Sequence, residues 1–151
     1  MKVAFQKHQP GMFDGLIRWW THSPYSHCEI LFDDGQMFSA QVGQGTRFWT
    51  PGHLDPNAWD LLLVPMTLEE EILLKSFCKT EAGCGYDWWG LIASQIFRLQ
   101  REHPHKWFCS EICACAVQKL GRAMGSKPCT FSPGKLHKRL RESGAVICAQ
   151  Y

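Results

Sequence analysis

The sequence predicts one α+β domain, and three observations carry that reading. Most runs with strand composition precede residue 66, most runs with helical periodicity follow it, and no internal repeat or low-complexity segment divides the chain. At 151 residues the chain can bury one core and is too short for two comfortable ones, so residues 1–151 read as a single domain. A formal charge of +2 says little about partners. The basic C-terminal third (Lys119, Arg122, Lys127, Lys135, Lys138, Arg139, Arg141) reads as solvated helix surface rather than a nucleic-acid site.

Residues 2–6 alternate weakly and predict a short strand, after which Pro10-Gly11 breaks the chain. Phe13 to Thr21 suits a short helix with Leu16, Ile17 and Trp20 on one side. Ser23-Pro24-Tyr25-Ser26 is a turn. It delivers His27 to Phe32, a strand by its β-branched and aromatic content. Asp33-Asp34-Gly35 is a hairpin signal, with the returning strand over 36–42. Loops at 43–45 and 51–52 flank a short strand at 46–49, and Asp60 to Pro65 reads as a buried strand ended by proline.

Thr67-Leu68-Glu69-Glu70 is a capping box: the hydroxyl sits at the N-cap and a carboxylate three residues on. It opens a helix expected to turn Ile72, Leu73, Phe77 and Cys78 inward, until Gly83-Cys84-Gly85 breaks it. Tyr86 to Leu99 predicts a further helix with Trp89, Ile92, Ile96 and Phe97 buried, and His103-Pro104-His105 a loop. Beyond Cys109, Ile112, Ala116 and Leu120 recur every four residues with Cys113 and Val117 beside them. That pattern predicts a helix buried on one side and stopped by Gly121. Ser132-Pro133 starts a last helix, Gly144 ends it, and residues 145–148 close as a strand.

Eight cysteines would suggest disulfides in an exported chain. Met1 to His8 has neither the apolar core nor the cleavage site of a secretory signal, and no apolar run approaches a membrane span. The expectation is a cytoplasmic protein with reduced thiols and no stable membrane insertion. Cys109, Cys113 and Cys115 share a segment, but no C-x-x-C pair is present, so neither a metal nor another cofactor is expected.

Cys109 falls at the N-terminus of its helix, where unpaired N–H groups and the positive dipole end favour thiolate over thiol. A thiolate nucleophile needs a histidine. Of the seven present, His27 differs from the rest because it opens an apolar strand directly after a turn. A third group should hold the imidazole. Glu29 shares the strand face of His27, while Ser39 and Gln41 share a face across the hairpin, and each is a candidate. Tyr86 and Asp87 are polar candidates for a cleft wall, and Tyr25 and Trp107 are among several aromatic residues expected near it.

Ser26-His27 opening a strand, a hairpin, Phe38-Ser39-Ala40, Tyr86-Asp87 and then Cys109-Ser110-Glu111 on a late helix resemble the circularly permuted papain-like hydrolases. The likeness is to the YiiX-like branch of the NlpC superfamily, a distant relative of lecithin–retinol acyltransferase. It spans about 26–50 and 86–118. It implies an antiparallel sheet packed on helices, with the nucleophile helix late in the chain. It also implies Cys109 as nucleophile, His27 as general base and acid, and a polar residue on the next strand as orienter, which places Ser39 in the catalytic set. Gln41, Tyr86, Tyr25 and Trp107 are then expected around the substrate. Serine stands where a glutamate is expected in those relatives. The implied reaction is cleavage of an amide or ester through an acyl-enzyme, on a peptide, a peptidoglycan stem or a lipid acyl group. The other reading is an inactive member of the fold that serves as a binding module.

Overall fold

The computed structural model describes residues 1–7, 15, 18–19, 21–86, 106–122 and 124–148. Six strands form one sheet: β1 (Lys2–Gln6), β2 (His27–Leu31), β3 (Met37–Gln41), β4 (Gly45–Trp49), β5 (Trp59–Leu63) and β8 (Val146–Cys148). They lie in the order β4-β3-β2-β1-β5-β8, and every neighbouring pair is antiparallel. A parallel pair, β6 (Gly85–Tyr86) and β7 (Lys106–Trp107), stands apart. The helices are α1 (Leu68–Glu81), α2 (Cys109–Lys119) and α3 (Pro133–Glu142). Every strand and helix expected within the described residues is present, often within a residue of its expected ends.

Of the expected 13–21 helix, Gly15, Arg18, Trp19 and Thr21 are helical, and the rest lies outside the described residues. So do residues 87–99 of the next expected helix and the 103–105 loop. Tyr86 itself begins no helix; it closes β6.

The register sorts the side chains onto two faces. Val3, Phe5, Cys28, Ile30, Phe38, Ala40 and Leu62 share one face and meet all three helices in the main core. Each large apolar side chain buried there contributes roughly 1.5–3 kcal/mol. The opposite face carries a smaller cluster of Ala4, Leu31, Met37, Leu54 and Leu61. With both faces covered, four of the five residues of β2 are buried. A polar residue on this strand is therefore removed from water whichever way it points.

The Thr67 capping box forms on α1: Glu70 N–H donates to Thr67 Oγ1 at 3.2 Å and Thr67 N–H to Glu70 Oε2 at 2.7 Å. The inward stripe is corrected. Leu74 and Cys78, four residues apart, are buried, whereas Ile72 and Leu73 are 60% and 68% exposed. Three consecutive apolar residues, 72–74, fit several stripes equally well, and contact with α2 selects the one through Leu74. One-sided burial of α2 is also corrected. Eight of its residues are buried, including Ser110, Glu111 and Ala114 on the side expected outward. The Ser110 hydroxyl donates to the Phe131 carbonyl at 2.6 Å, which removes the penalty of enclosing it.

The loop after α1 sits directly on β4. Thr46 N–H donates to the Cys84 carbonyl at 2.9 Å, and Gly83 N–H to the Thr46 carbonyl at 2.8 Å. Gly45 permits this approach. Its φ is +68°, and a Cβ there would lie 2.1 Å from the Cys84 oxygen. Among the described residues, no helix is long and apolar enough to cross a membrane.

Candidate active site

Cys109 is the first residue of α2. The first helical bond runs from Ile112 N–H to the Phe108 carbonyl at 3.1 Å, so the amides of Cys109, Ser110 and Glu111 have no intrahelical acceptor. Phe108, at the N-cap, supplies no side-chain oxygen to them. The positive end of the helix is thus directed at the Cys109 sulfur. All eight cysteines are free thiols, and Cys109 is 4% exposed.

The structure brings His27 to this sulfur. Burial alone would depress the imidazolium, but the Cys109 sulfur beside the ring and the Glu29 carboxylate outweigh it and raise His27 well above its ordinary pKa. Nε2 of His27 lies 3.0 Å from Oε1 of Glu29, which leaves Nδ1 for the sulfur.

Cys109 shifts the opposite way, well below the usual thiol range. The Cys28 thiol stabilises the sulfur most, burial opposes, and His27 and the Cys28 N–H add to the lowering. Both shifts favour a thiolate–imidazolium pair.

Glu29 is 1% exposed, and three donors converge on its carboxylate. Besides His27, the Trp49 indole N–H donates to Oε2 at 2.6 Å, and Gln41 Nε2 donates to Oε1 at 3.2 Å. Arg47 in turn donates to Gln41 Oε1 from Nε at 3.1 Å and from Nη2 at 2.7 Å, which fixes the amide's orientation. The strand register explains the gathering. Trp49 pairs with Met37, Arg47 with Ser39 and Gly45 with Gln41, so Glu29, Gln41, Arg47 and Trp49 occupy one face of three adjacent strands.

The expectation that Ser39 orients the imidazole is corrected. Its hydroxyl donates to the Cys28 carbonyl at 2.8 Å, whereas the ring's Nε2 meets the Glu29 carboxylate at 3.0 Å. The β2–β3 register pairs Ile30 with Phe38 and Leu31 with Met37 and goes no further, so Ser39 supplies a donor where the ladder stops. Glu29, two residues along the same strand as His27, takes the orienting position.

The four residues expected around a substrate are also accounted for. Gln41 is bound into the Glu29 network. Tyr25 is 8% exposed; its hydroxyl donates to Asp60 Oδ2 at 2.7 Å and lies 3.2 Å from His137 Nε2. Lys7 completes that cluster at 2.7 Å from Asp60 Oδ1. The Trp107 indole N–H donates to Glu81 Oε2 at 2.9 Å, and Tyr86 is half-buried; both pack against the main core. Asp87 lies outside the described residues.

Sequence reasoning did not single out Trp49, Arg47 or Cys28. Alternation along β2 was enough to point to Glu29. Trp49 and Arg47 need the register across two hairpins. Cys28 needed attention to the other face of the His27 strand, the one toward the helices. Among the described residues no group of three or more His, Cys, Asp or Glu side chains is arranged to hold a metal ion. In comparison with known proteins, no protein-family model matches the chain and no curated protein matches it.

Proposed function

We propose that the protein is a cysteine hydrolase or acyl-transferring enzyme with a permuted papain-like architecture, cleaving an amide or ester bond through a Cys109 acyl-enzyme. The observation that carries this reading is one continuous chain: Cys109 at a helix N-terminus, His27 beside it, and the buried Glu29 carboxylate on the far ring nitrogen. The order of parts, histidine strand before cysteine helix, is that of the permuted branch.

In this reading the Cys109 thiolate attacks the substrate carbonyl, and imidazolium Nδ1 of His27 protonates the leaving amine or alcohol. Water then enters, His27 takes its proton, and the acyl group departs. Glu29 keeps the ring in place and stabilises its charged form throughout. The Cys109 N–H, free of an intrahelical acceptor, is the donor for the developing oxyanion. A peptide, a peptidoglycan stem or a lipid acyl group remains the proposed substrate class.

The binding-module alternative drew on a serine at 39, which cannot stabilise imidazolium by charge. The Glu29 carboxylate beside the ring, a source of that charge from β2, supports the hydrolase reading over this alternative. The test is rapid mixing with a p-nitrophenyl acyl ester. The hydrolase reading expects a stoichiometric burst of nitrophenol and an acyl adduct mapped to Cys109, both lost in Cys109→Ala. A wild-type protein with no burst and no adduct would contradict it.

A further inference from the structure

Cys28 follows His27, so its side chain faces the opposite side of β2, the side on which α2 packs. The Sγ of Cys113 donates to the Cys28 carbonyl at 3.7 Å. Cys109 precedes Cys113 by one helical turn on the same face of α2, which brings its sulfur over Cys28. Cys28, Cys109 and Cys113 lie in one buried cluster, and the Cys28 and Cys109 sulfurs shift each other's protonation, Cys28 upward and Cys109 downward. Cys28 is completely buried while Cys109 retains slight exposure, so a small oxidant entering the site meets Cys109 first.

We propose that Cys28 is a resolving thiol for Cys109: a hydroperoxide oxidises Cys109 to the sulfenic acid, and Cys28 closes on it to form a disulfide that a thiol reductant reopens. This rests on the reading of Cys109 as an activated thiolate. In the first step the thiolate sulfur attacks the peroxide oxygen, the O–O bond breaks, and hydroxide leaves. Two electrons pass from sulfur to the peroxide. In the second step the Cys28 sulfur attacks the Cys109 sulfur. The S–S bond forms, the S–O bond breaks, and the hydroxyl leaves with the Cys28 proton as water.

The environment orders these steps. Burial and the neighbouring Cys109 sulfur keep Cys28 protonated. In the first step the His27 imidazolium protonates the departing hydroxide, and conversion of Cys109 to a neutral sulfenic acid then removes the negative charge that opposed ionisation of Cys28. Cys113 is excluded as the partner of Cys109. Cβ atoms four residues apart on a helix lie about 5–6 Å from each other, beyond the roughly 3.5–4.5 Å that a disulfide spans.

The experiment treats the full chain with one equivalent of hydrogen peroxide at neutral pH, after the iodoacetamide reactivity of Cys109 has been measured. In wild type, titratable thiols should fall by two, peptide mapping should join Cys28 to Cys109, and dithiothreitol should restore reactivity in full. In Cys28→Ser and Cys28→Ala, dimedone should trap a persistent Cys109 sulfenic acid. With excess peroxide, dithiothreitol should then recover less than about a tenth of the reactivity, because Cys109 proceeds to the sulfinic acid. Fast alkylation with Cys109 joined to another cysteine, or with none joined, would overturn this inference alone. Slow alkylation of Cys109 before oxidation would remove the thiolate reading and this inference together. Should both variants fail to fold, the wild-type peptide map still decides.

Discussion

The carboxylate of Glu29 stands 3.0 Å from Nε2 of His27, two residues away on the same strand, and is 1% exposed. Alternation along β2 puts both side chains on one face, and a second layer of donors from β3 and β4 keeps the buried carboxylate satisfied. Glu29→Gln keeps the shape and removes the charge. It should lower the rate of acyl transfer by roughly ten- to a hundredfold, on the basis of about 1.5–3 kcal/mol for a charged hydrogen bond. It should also move the acid limb of Cys109 alkylation toward neutral pH, because the imidazolium loses a stabilising neighbour. An unchanged acid limb would show that Glu29 does not support the pair.

Trp49→Phe removes the indole N–H from Glu29 Oε2 and leaves a buried oxygen without that donor. The expected loss is about 1–3 kcal/mol of folding stability, measured by urea denaturation. The alkylation rate of Cys109 should fall alongside it. A variant as stable and as reactive as wild type would mean that the contact is incidental.

Ser39→Ala separates the present account from the one the resemblance implied. The hydroxyl serves the Cys28 carbonyl, so its loss should lower stability by about 1 kcal/mol and leave the acid limb of Cys109 alkylation in place. A large shift of that limb would return Ser39 to the imidazole.

Most of the fold was legible because its signals are local. The Thr67 capping box, the Asp-Asp-Gly turn and the glycine after α2 each act within a few residues, and each stands where expected. What was not legible depended on contacts between distant segments. The inward stripe of α1 is chosen by contact with α2. The nearly complete burial of α2 depends on Ser110 finding the Phe131 carbonyl. At the site, the juxtaposition of Cys109 and His27 was legible from their positions at element starts. Of the three residues expected near the ring, Glu29 makes the contact, whereas the serine at 39, the position suggested by the resemblance, does not. Its short side chain is consumed where the β2–β3 ladder ends.

The Tyr25, Asp60 and His137 cluster gives a pH prediction of its own. Burial lowers the His137 pKa below its ordinary value, and the nearby Arg141 charge adds to this while Asp60 opposes it. In the window between the lowered folded value and the ordinary one, the unfolded chain binds more protons, so stability falls as pH drops through about 6.5. His137→Gln should flatten that part of the stability–pH curve. A slope equal to that of wild type would assign the acid sensitivity to another group.

The central claim is that Cys109 is held as a thiolate, with the His27 imidazolium beside it adding to the support of the Cys28 thiol. The most direct measurement is the rate of iodoacetamide alkylation of Cys109 against pH, in wild type and in His27→Ala, with the modified residue identified by peptide mapping. A lowered folded pKa means that the thiolate persists below the ordinary thiol value of about 8.5. The account predicts a wild-type rate that stays high through neutral pH into mild acid and drops only as pH falls through the lowered value. In His27→Ala the limb should move toward that ordinary value. A wild-type rate that rises only above about pH 8, like that of an unperturbed thiol, would contradict the account.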